Sequence, residues 1–339
     1  MHNRERYFAM RTDNRVVRPF EWGAEHVIEG LNGDNPAAAL RDLSSKWIDE
    51  SEAFFERPDI SRLKFEIADD LITWPSVIET QSPENNTVYA RYFRAEARRT
   101  AHRSAVVILP HWNAQAGSYF DLARLLDRLG MSVLRLTLPY HEERMPPDLE
   151  RADHLVGSNV GRTLQSVRQA VLDTRSAVAW LKQQGYDRVG LVGTSIGSCT
   201  AFLAFVHDLD IDAAVFNHVS GYFADVVWHG LSTYHVRESL EKGISLDELR
   251  DLWRPISPMT YMPKLADQPW RPQRYIYTRY DLTFPYDLSI KAMAELDRLE
   301  IRHDEAVLPC GHYTLGEKPW NYLDGYKIVT FLRKHLTRA

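Results

Sequence analysis

A doubly wound, mostly parallel α/β sheet is the fold class this chain predicts, and three observations predict it. Short runs of consecutive apolar residues recur from about Thr87 onward, as in AVVIL at 105–109, the pattern of strands covered on both faces. Amphipathic segments at helical spacing separate those runs, so β and α alternate. Turn residues mark the junctions, with Pro110 and Pro139 after strands and Gly130 and Gly185 after helices.

Taken in order, residues 1–85 read as an N-terminal extension, partly helical. Asn35 is placed to cap a helix with Pro36 at its first position, running through AAALRDLSSKWIDESEAFF. The core begins at residue 86. After AVVIL, a helix from Ser118 carries Leu122, Leu125, Leu126 and Leu129 on one face. Val133, Leu134, Leu136 and Leu138 make a second strand, and a long helix spans about Arg162 to Gln184. RVGLV at 188–192 is a third strand, followed by a helix from near Ser195, and AAVF at 213–216 is a fourth.

Residues 221–268 interrupt this rhythm with aromatic-rich helical material, including a capping box at Ser245–Glu248, and are expected to form an inserted cap. YIYT at 275–278, a helix over 285–299, a strand over 305–308 and a closing helix over 322–335 complete the core. The core therefore comprises residues 86–220 and 269–339.

Composition narrows the function. With 44% hydrophobic and 26% charged residues in 339, the chain is of globular composition, which excludes disorder, collagen and coiled coil as its architecture. Lys plus Arg number 41 against 46 Asp plus Glu, a formal charge of −5, which argues against a nucleic-acid partner. The densest basic stretch, Arg91, Arg94, Arg98, Arg99 and Arg103, is interleaved with Glu96 and reads as a solvated edge. Cys199 and Cys310 fit neither a disulfide framework nor a zinc site. The first 15 residues lack the apolar centre of a signal peptide, and no stretch suggests a membrane span. The expectation is a soluble cytoplasmic protein, and nothing indicates an oligomer.

The chemistry concentrates at Gly193-Thr194-Ser195-Ile196-Gly197, where a buried strand turns directly into a helix. That context is the one G-x-S-x-G requires: glycines allow close chain approach around a serine held in a strained turn. A serine hydroxyl needs a base, and the base needs a carboxylate to fix its tautomer. Asp281 follows the YIYT strand and His312 follows the next strand, supplying both in loops beyond strand ends. Asp287 is the lesser candidate for the acid, since it falls inside a predicted helix. A cysteine nucleophile would have to sit on the elbow, and neither cysteine does.

The order Ser195, Asp281, His312, each after a strand, resembles the α/β-hydrolase superfamily, and the resemblance covers residues 87–339. It implies the α/β-hydrolase fold and an oxyanion hole built from the Ile196 N–H and one N–H of the loop Pro110-His111-Trp112-Asn113, taken as that of Trp112. Trp112 stands where such loops often carry glycine, which suggests a restricted acyl pocket. Ser198 stands where many relatives have a further glycine.

His111, His141 and Trp228 are candidates for substrate contact, His141 also for bracing the oxyanion loop. The aromatic side chains Trp228, His229, Tyr234, His235 and Trp253 would give an apolar site beneath the cap. His111, His141 and His218 could be assembled with Asp281 into a metal site, but polar residues at the rim of a crevice need no metal. The reading is a serine hydrolase of a small-molecule carboxylic ester, needing no cofactor. Amide hydrolysis, acyl transfer and a non-catalytic ligand-binding protein of the same fold are the alternatives.

Overall fold

The computed structural model describes residues 1–11, 14–28, 35–96 and 102–338. Among them nine strands form one sheet: β1 (Glu66–Ala68), β2 (Leu71–Pro75), β3 (Thr87–Phe93), β4 (Ser104–Leu109), β5 (Met131–Leu136), β6 (Arg188–Thr194), β7 (Ala213–Asn217), β8 (Gln273–Thr278) and β9 (Asp304–Leu308). The spatial order is β1-β2-β3-β5-β4-β6-β7-β8-β9. The first three strands and the β3–β5 pair are antiparallel, and every pair from β5 to β9 is parallel.

The helices are α1 (His2–Met10), α2 (Pro36–Asp49), α3 (Ser51–Phe54), α4 (Phe120–Arg128), α5 (Val160–Gln183), α6 (Ile196–His207), α7 (Phe223–His229), α8 (Tyr234–Leu240), α9 (Leu246–Trp253), α10 (Met262–Ala266), α11 (Tyr286–Arg298) and α12 (Trp320–Leu336). The consecutive apolar residues of the strands explain why helices cover both faces. In β4, Val106 and Ile108 join a core with Ala123 and Leu126 of α4 and Phe331 and Leu332 of α12. Ala105, Val107 and Leu109 join the opposite core with residues of α5 and α6.

Local signals account for several boundaries. Asn35 caps α2 by accepting from the Ala38 N–H at 3.0 Å, and Ser245 and Glu248 form the capping box of α9. The long N-terminal helix is broken: α2 ends at Asp49 and the separate turn α3 begins at Ser51. The strand expected over 133–138 lies two residues earlier, at Met131–Leu136, and Arg135 sits inside it. Its side chain is buried against Glu142 at 2.6 Å, an ion pair that lets a charge occupy a covered strand.

The sheet also begins earlier than residue 86. β1 and β2, within the stretch set apart as an extension, pair antiparallel along the sheet through β3. In the basic stretch, Arg91 pairs with Asp70 and Glu143, while Arg98 and Arg99 lie outside the described residues. No described helix is long and apolar enough to cross a membrane.

β4 pairs with β5 on one side and β6 on the other, so the chain reverses its direction of travel across the sheet there. Such a switch point leaves a crevice beyond the C-terminal strand ends, where open α/β sheets bind ligands. All the sequence-predicted reactive residues except those of the 221–268 segment follow strand ends on this rim.

Candidate active site

Ser195 is the hinge between β6 and α6, with φ 59° and ψ −122°, a region that an L-residue adopts only under strain. The flanking glycines make the turn possible. A Cβ on Gly193 would lie 2.1 Å from the Gly197 carbonyl oxygen, and one on Gly197 would lie 2.3 Å from that of Leu109. Both contacts are with backbone, so no rotamer change relieves them. Ser198 braces the turn, its hydroxyl donating to the carbonyls of Ser195 at 2.7 Å and His218 at 2.9 Å.

Asp281 lies in the loop after β8. Its Oδ1 accepts from the N–H groups of Thr283 and Phe284 at 2.8 and 2.7 Å. Its Oδ2 accepts from His312 Nδ1 at 3.1 Å and from His218 Nδ1 at 2.8 Å. Burial alone would raise the pKa of this carboxyl. The two imidazoles, His312 first, outweigh burial and hold it well below the usual carboxylate range. Phe284 stacks on the His312 ring with centroids 5.5 Å apart. Asp287 instead occupies the first turn of α11, within 3.5 Å of Lys291.

His218 is the residue of this constellation that sequence reasoning left among rim polar groups. It follows β7 with φ 56°, is buried, and has its pKa lowered by burial and by the neighbouring His312. The signal was there in its position at a strand end, but only the sheet order brings β7 beside β8 and so His218 to Asp281.

The loop after β4 is held rigidly. Its Asn113 N–H donates to His141 Nε2 at 2.8 Å, and the Asn113 Oδ1 accepts from the Ala152 N–H at 2.8 Å. His141 Nδ1 in turn donates to the Pro139 carbonyl at 2.9 Å. Burial lowers the His141 pKa to about 4, so it is neutral and its Nε2 is free to accept. His111 bonds the Tyr119 hydroxyl at 2.7 Å and is likewise held neutral by burial, its pKa near 3. Among the described residues, neither the Ile196 nor the Trp112 N–H donates to a protein acceptor.

These groups share one cavity of about 1100 Å³, whose wall includes Ser195, Ile196, Trp112, His111, His141, His218 and His312. Ser195 and His312 face this cavity without a hydrogen bond between them among the described residues. The Trp112 indole does not close the cavity: its Nε1 donates to the Ala152 carbonyl at 2.9 Å and the ring stacks on His235.

Trp228, expected to contact substrate, lies off the cavity wall under the Arg237 guanidinium, and His229, Tyr234, His235 and Trp253 do not line the cavity either. The 221–268 segment contributes Phe223, Val226, Val227 and Pro258 among others. Helix packing explains the difference, since Trp253 is wholly buried and donates to the Val160 carbonyl.

Cys199 lines the cavity, but burial pushes its thiol pKa far up, and burial pushes that of Cys310 up to about 12. Neither is a thiolate near neutral pH. The ligating atoms of His218, Asp281 and His312 lie within 4.8 Å of one another, close enough to hold a cation, although both Nδ1 atoms already face the carboxylate.

The N-terminal stretch also reaches the site, which no local pattern announces. Phe8, Ala9, Asn14 and Arg15 line the cavity. Glu5 is completely buried, and its carboxylate accepts from the N–H groups of Tyr313 at 3.0 Å and Thr314 at 2.8 Å.

Neither a family model nor a curated protein matches this chain. Solved structures do. An acylaminoacyl peptidase of Pyrococcus horikoshii superposes with a TM-score of 0.60 at 13% identity, covering 82% of this chain and 42% of its own. The chain therefore spans about two fifths of that peptidase. Acetyl xylan esterase 1 of Thermoanaerobacterium sp. JW/SL YS485 gives a TM-score of 0.60 at 12% identity over 88% of this chain and 99% of the esterase. An acetyl xylan esterase of Paenibacillus sp. R4 gives 0.60 at 11% identity over 92% and 99%. With its mostly parallel sheet, its strand-to-helix turn at Ser195 and these neighbours, the chain has the α/β-hydrolase fold.

Proposed function

We propose that the protein is a serine hydrolase that cleaves carboxylic esters of small molecules through an acyl-enzyme. The observation that carries this reading is the strained Ser195 at the head of α6 in the same cavity as the hydrogen-bonded His312–Asp281 pair. The solved neighbours named as esterases and as a peptidase agree with hydrolysis of an acyl bond.

In this reading Ser195 Oγ attacks the ester carbonyl as His312 Nε2 takes its proton. Asp281, an anion under all ordinary conditions, receives the Nδ1–H and stabilises the imidazolium. The two unengaged N–H groups, of Ile196 and Trp112, bind the developing oxyanion, and His141 holds the second of them in place through Asn113. His312 then protonates the leaving alcohol and activates the water that releases the acid. The 221–268 segment serves as the cap, its apolar residues Phe223, Val226 and Val227 receiving the organic part of the substrate.

The test is fluorophosphonate labelling with mass mapping, beside hydrolysis of p-nitrophenyl esters from acetate to decanoate. The expected result is an adduct on Ser195, absent in Ser195→Ala, with turnover that continues beyond the shortest acyl chains because the cavity is wide. Labelling without turnover would favour amide hydrolysis or acyl transfer. A folded protein with neither would point to a ligand-binding role.

A further inference from the structure

The loop that carries His312 is tied at one end to β9 and at the other to α12, and the contact that bridges its middle comes from the far N-terminus. Both carboxylate oxygens of Glu5 are spent on the two amides that directly follow His312. Burying a carboxylate with no cation against it is costly unless hydrogen bonds replace its water, so two charge-assisted bonds at this one place are a specific arrangement. Gly311 is shaped to it: a Cβ there would lie 2.3 Å from the Glu5 carboxyl carbon.

The rest of α1 is fastened around the same loop. Arg4 pairs with Glu317 at 2.5 Å, and His2 meets the ring of Tyr280, next to Asp281, edge-on at 5.6 Å. Beyond the helix, Arg15 reaches the Tyr313 hydroxyl at 3.3 Å and the Ser232 carbonyl at 3.3 Å. The Tyr313 hydroxyl bonds Ser232 Oγ at 2.6 Å, which bonds Thr283 Oγ1 at 2.8 Å. The N-terminal segment thus spans the base loop, the acid loop and the segment between β7 and β8.

We propose that Glu5 is a positioning residue for His312, and that residues 1–11 together with Asn14 and Arg15 form a strap that completes the active site. Glu5 fixes the main chain on the C-terminal side of the base, and its negative charge favours the protonated imidazole that forms as Ser195 attacks. The same charge is felt nearby, where it opposes the lowering of the His218 pKa. This inference rests on the serine-hydrolase reading for its kinetic half, while the anchoring half stands independently of it.

The experiment compares the parent protein with Glu5→Ala and Glu5→Gln. Hydrogen exchange at Tyr313 and Thr314, fluorophosphonate labelling rate, kcat and KM on a p-nitrophenyl ester, and the acid limb of the pH–kcat profile are read for each. Glu5→Ala is expected to lower kcat and the labelling rate about 10- to 100-fold, with KM within about 3-fold. Exchange should rise at Tyr313 and Thr314 but not in the central strands. Glu5→Gln keeps one acceptor without the charge, so it should fall between parent and Glu5→Ala. In both variants the acid limb should move to lower pH, because the anion that favours the protonated imidazole is gone.

Parent-like kcat and acid limb in both variants would overturn the proposal. So would a kcat loss matched by equal loss of exchange protection across the central strands. If Glu5→Ala does not fold, Glu5→Gln decides by the same readouts. A parent protein that takes no label defeats the hydrolase reading, and the exchange result at Tyr313 and Thr314 then decides the anchoring alone.

Discussion

His218 and His312 lie with ring centroids 4.1 Å apart and planes tilted by 39°, and both donate to the same oxygen of Asp281. One carboxylate thus serves two imidazoles. In the proposed chemistry only His312 becomes charged, and His218 acts as a neutral donor that fixes the carboxylate. His218→Ala should lower kcat by about 10-fold, through loss of one bond in a buried network, and should leave Ser195 labelling intact. His312→Ala should abolish labelling. Parent-like turnover in His218→Ala would make its contact with Asp281 purely structural.

Ser195 offers a second test, because its backbone is strained. Ser195→Ala should reduce kcat by about 10⁴ to 10⁶ with little change in stability, as alanine is no better suited to φ 59°. Ser195→Gly should be equally inactive but more stable by about 1 kcal/mol, since glycine accepts that region without strain. Thermal denaturation of the two variants side by side checks this.

The brace on the loop after β4 predicts a separable effect. His141→Ala removes the acceptor for the Asn113 N–H without touching the base or the acid. We expect kcat to fall by about 10- to 100-fold, as for a displaced oxyanion donor, with KM nearly unchanged. A KM effect alone would assign His141 to substrate contact instead.

Stability should depend on pH with a definite sign. Burial holds His111 near pKa 3 and His141, His154 and His207 near 4. Unfolded, each would titrate near 6.5, so between about 4 and 6.5 the unfolded chain binds more protons than the native one. Their contribution is complete above about 6.5 and is lost as pH falls toward 4. Asp324 works the other way: burial pushes it up to about 7 although it accepts from Asn217 Nδ2, so it destabilises as pH rises from about 4 to 7. The lowered histidines, which also include His26, His218 and His335, outnumber the raised carboxyls Asp324 and Asp173, so Tm should rise from pH 4.5 to 6.5. Asp324→Asn should raise Tm at pH 8 and leave it unchanged at pH 4, which differential scanning calorimetry can read.

Local patterns in the chain specify the central sheet and single out Ser195, Asp281 and His312 as candidates. A strand buried on both faces must be apolar at every position, as AVVIL is, and a sharp strand-to-helix turn must have glycine where a Cβ would strike backbone, as at 193 and 197. Contacts across the fold establish that β1 and β2 extend the sheet, that His218 shares Asp281, that Trp228 lies off the cavity wall, and that Glu5 bonds the two amides after His312. Each of these depends on contacts between residues remote in the chain, 308 positions apart for Glu5 and Tyr313. Local periodicity reports which face of an element is buried, and only packing decides what that face meets.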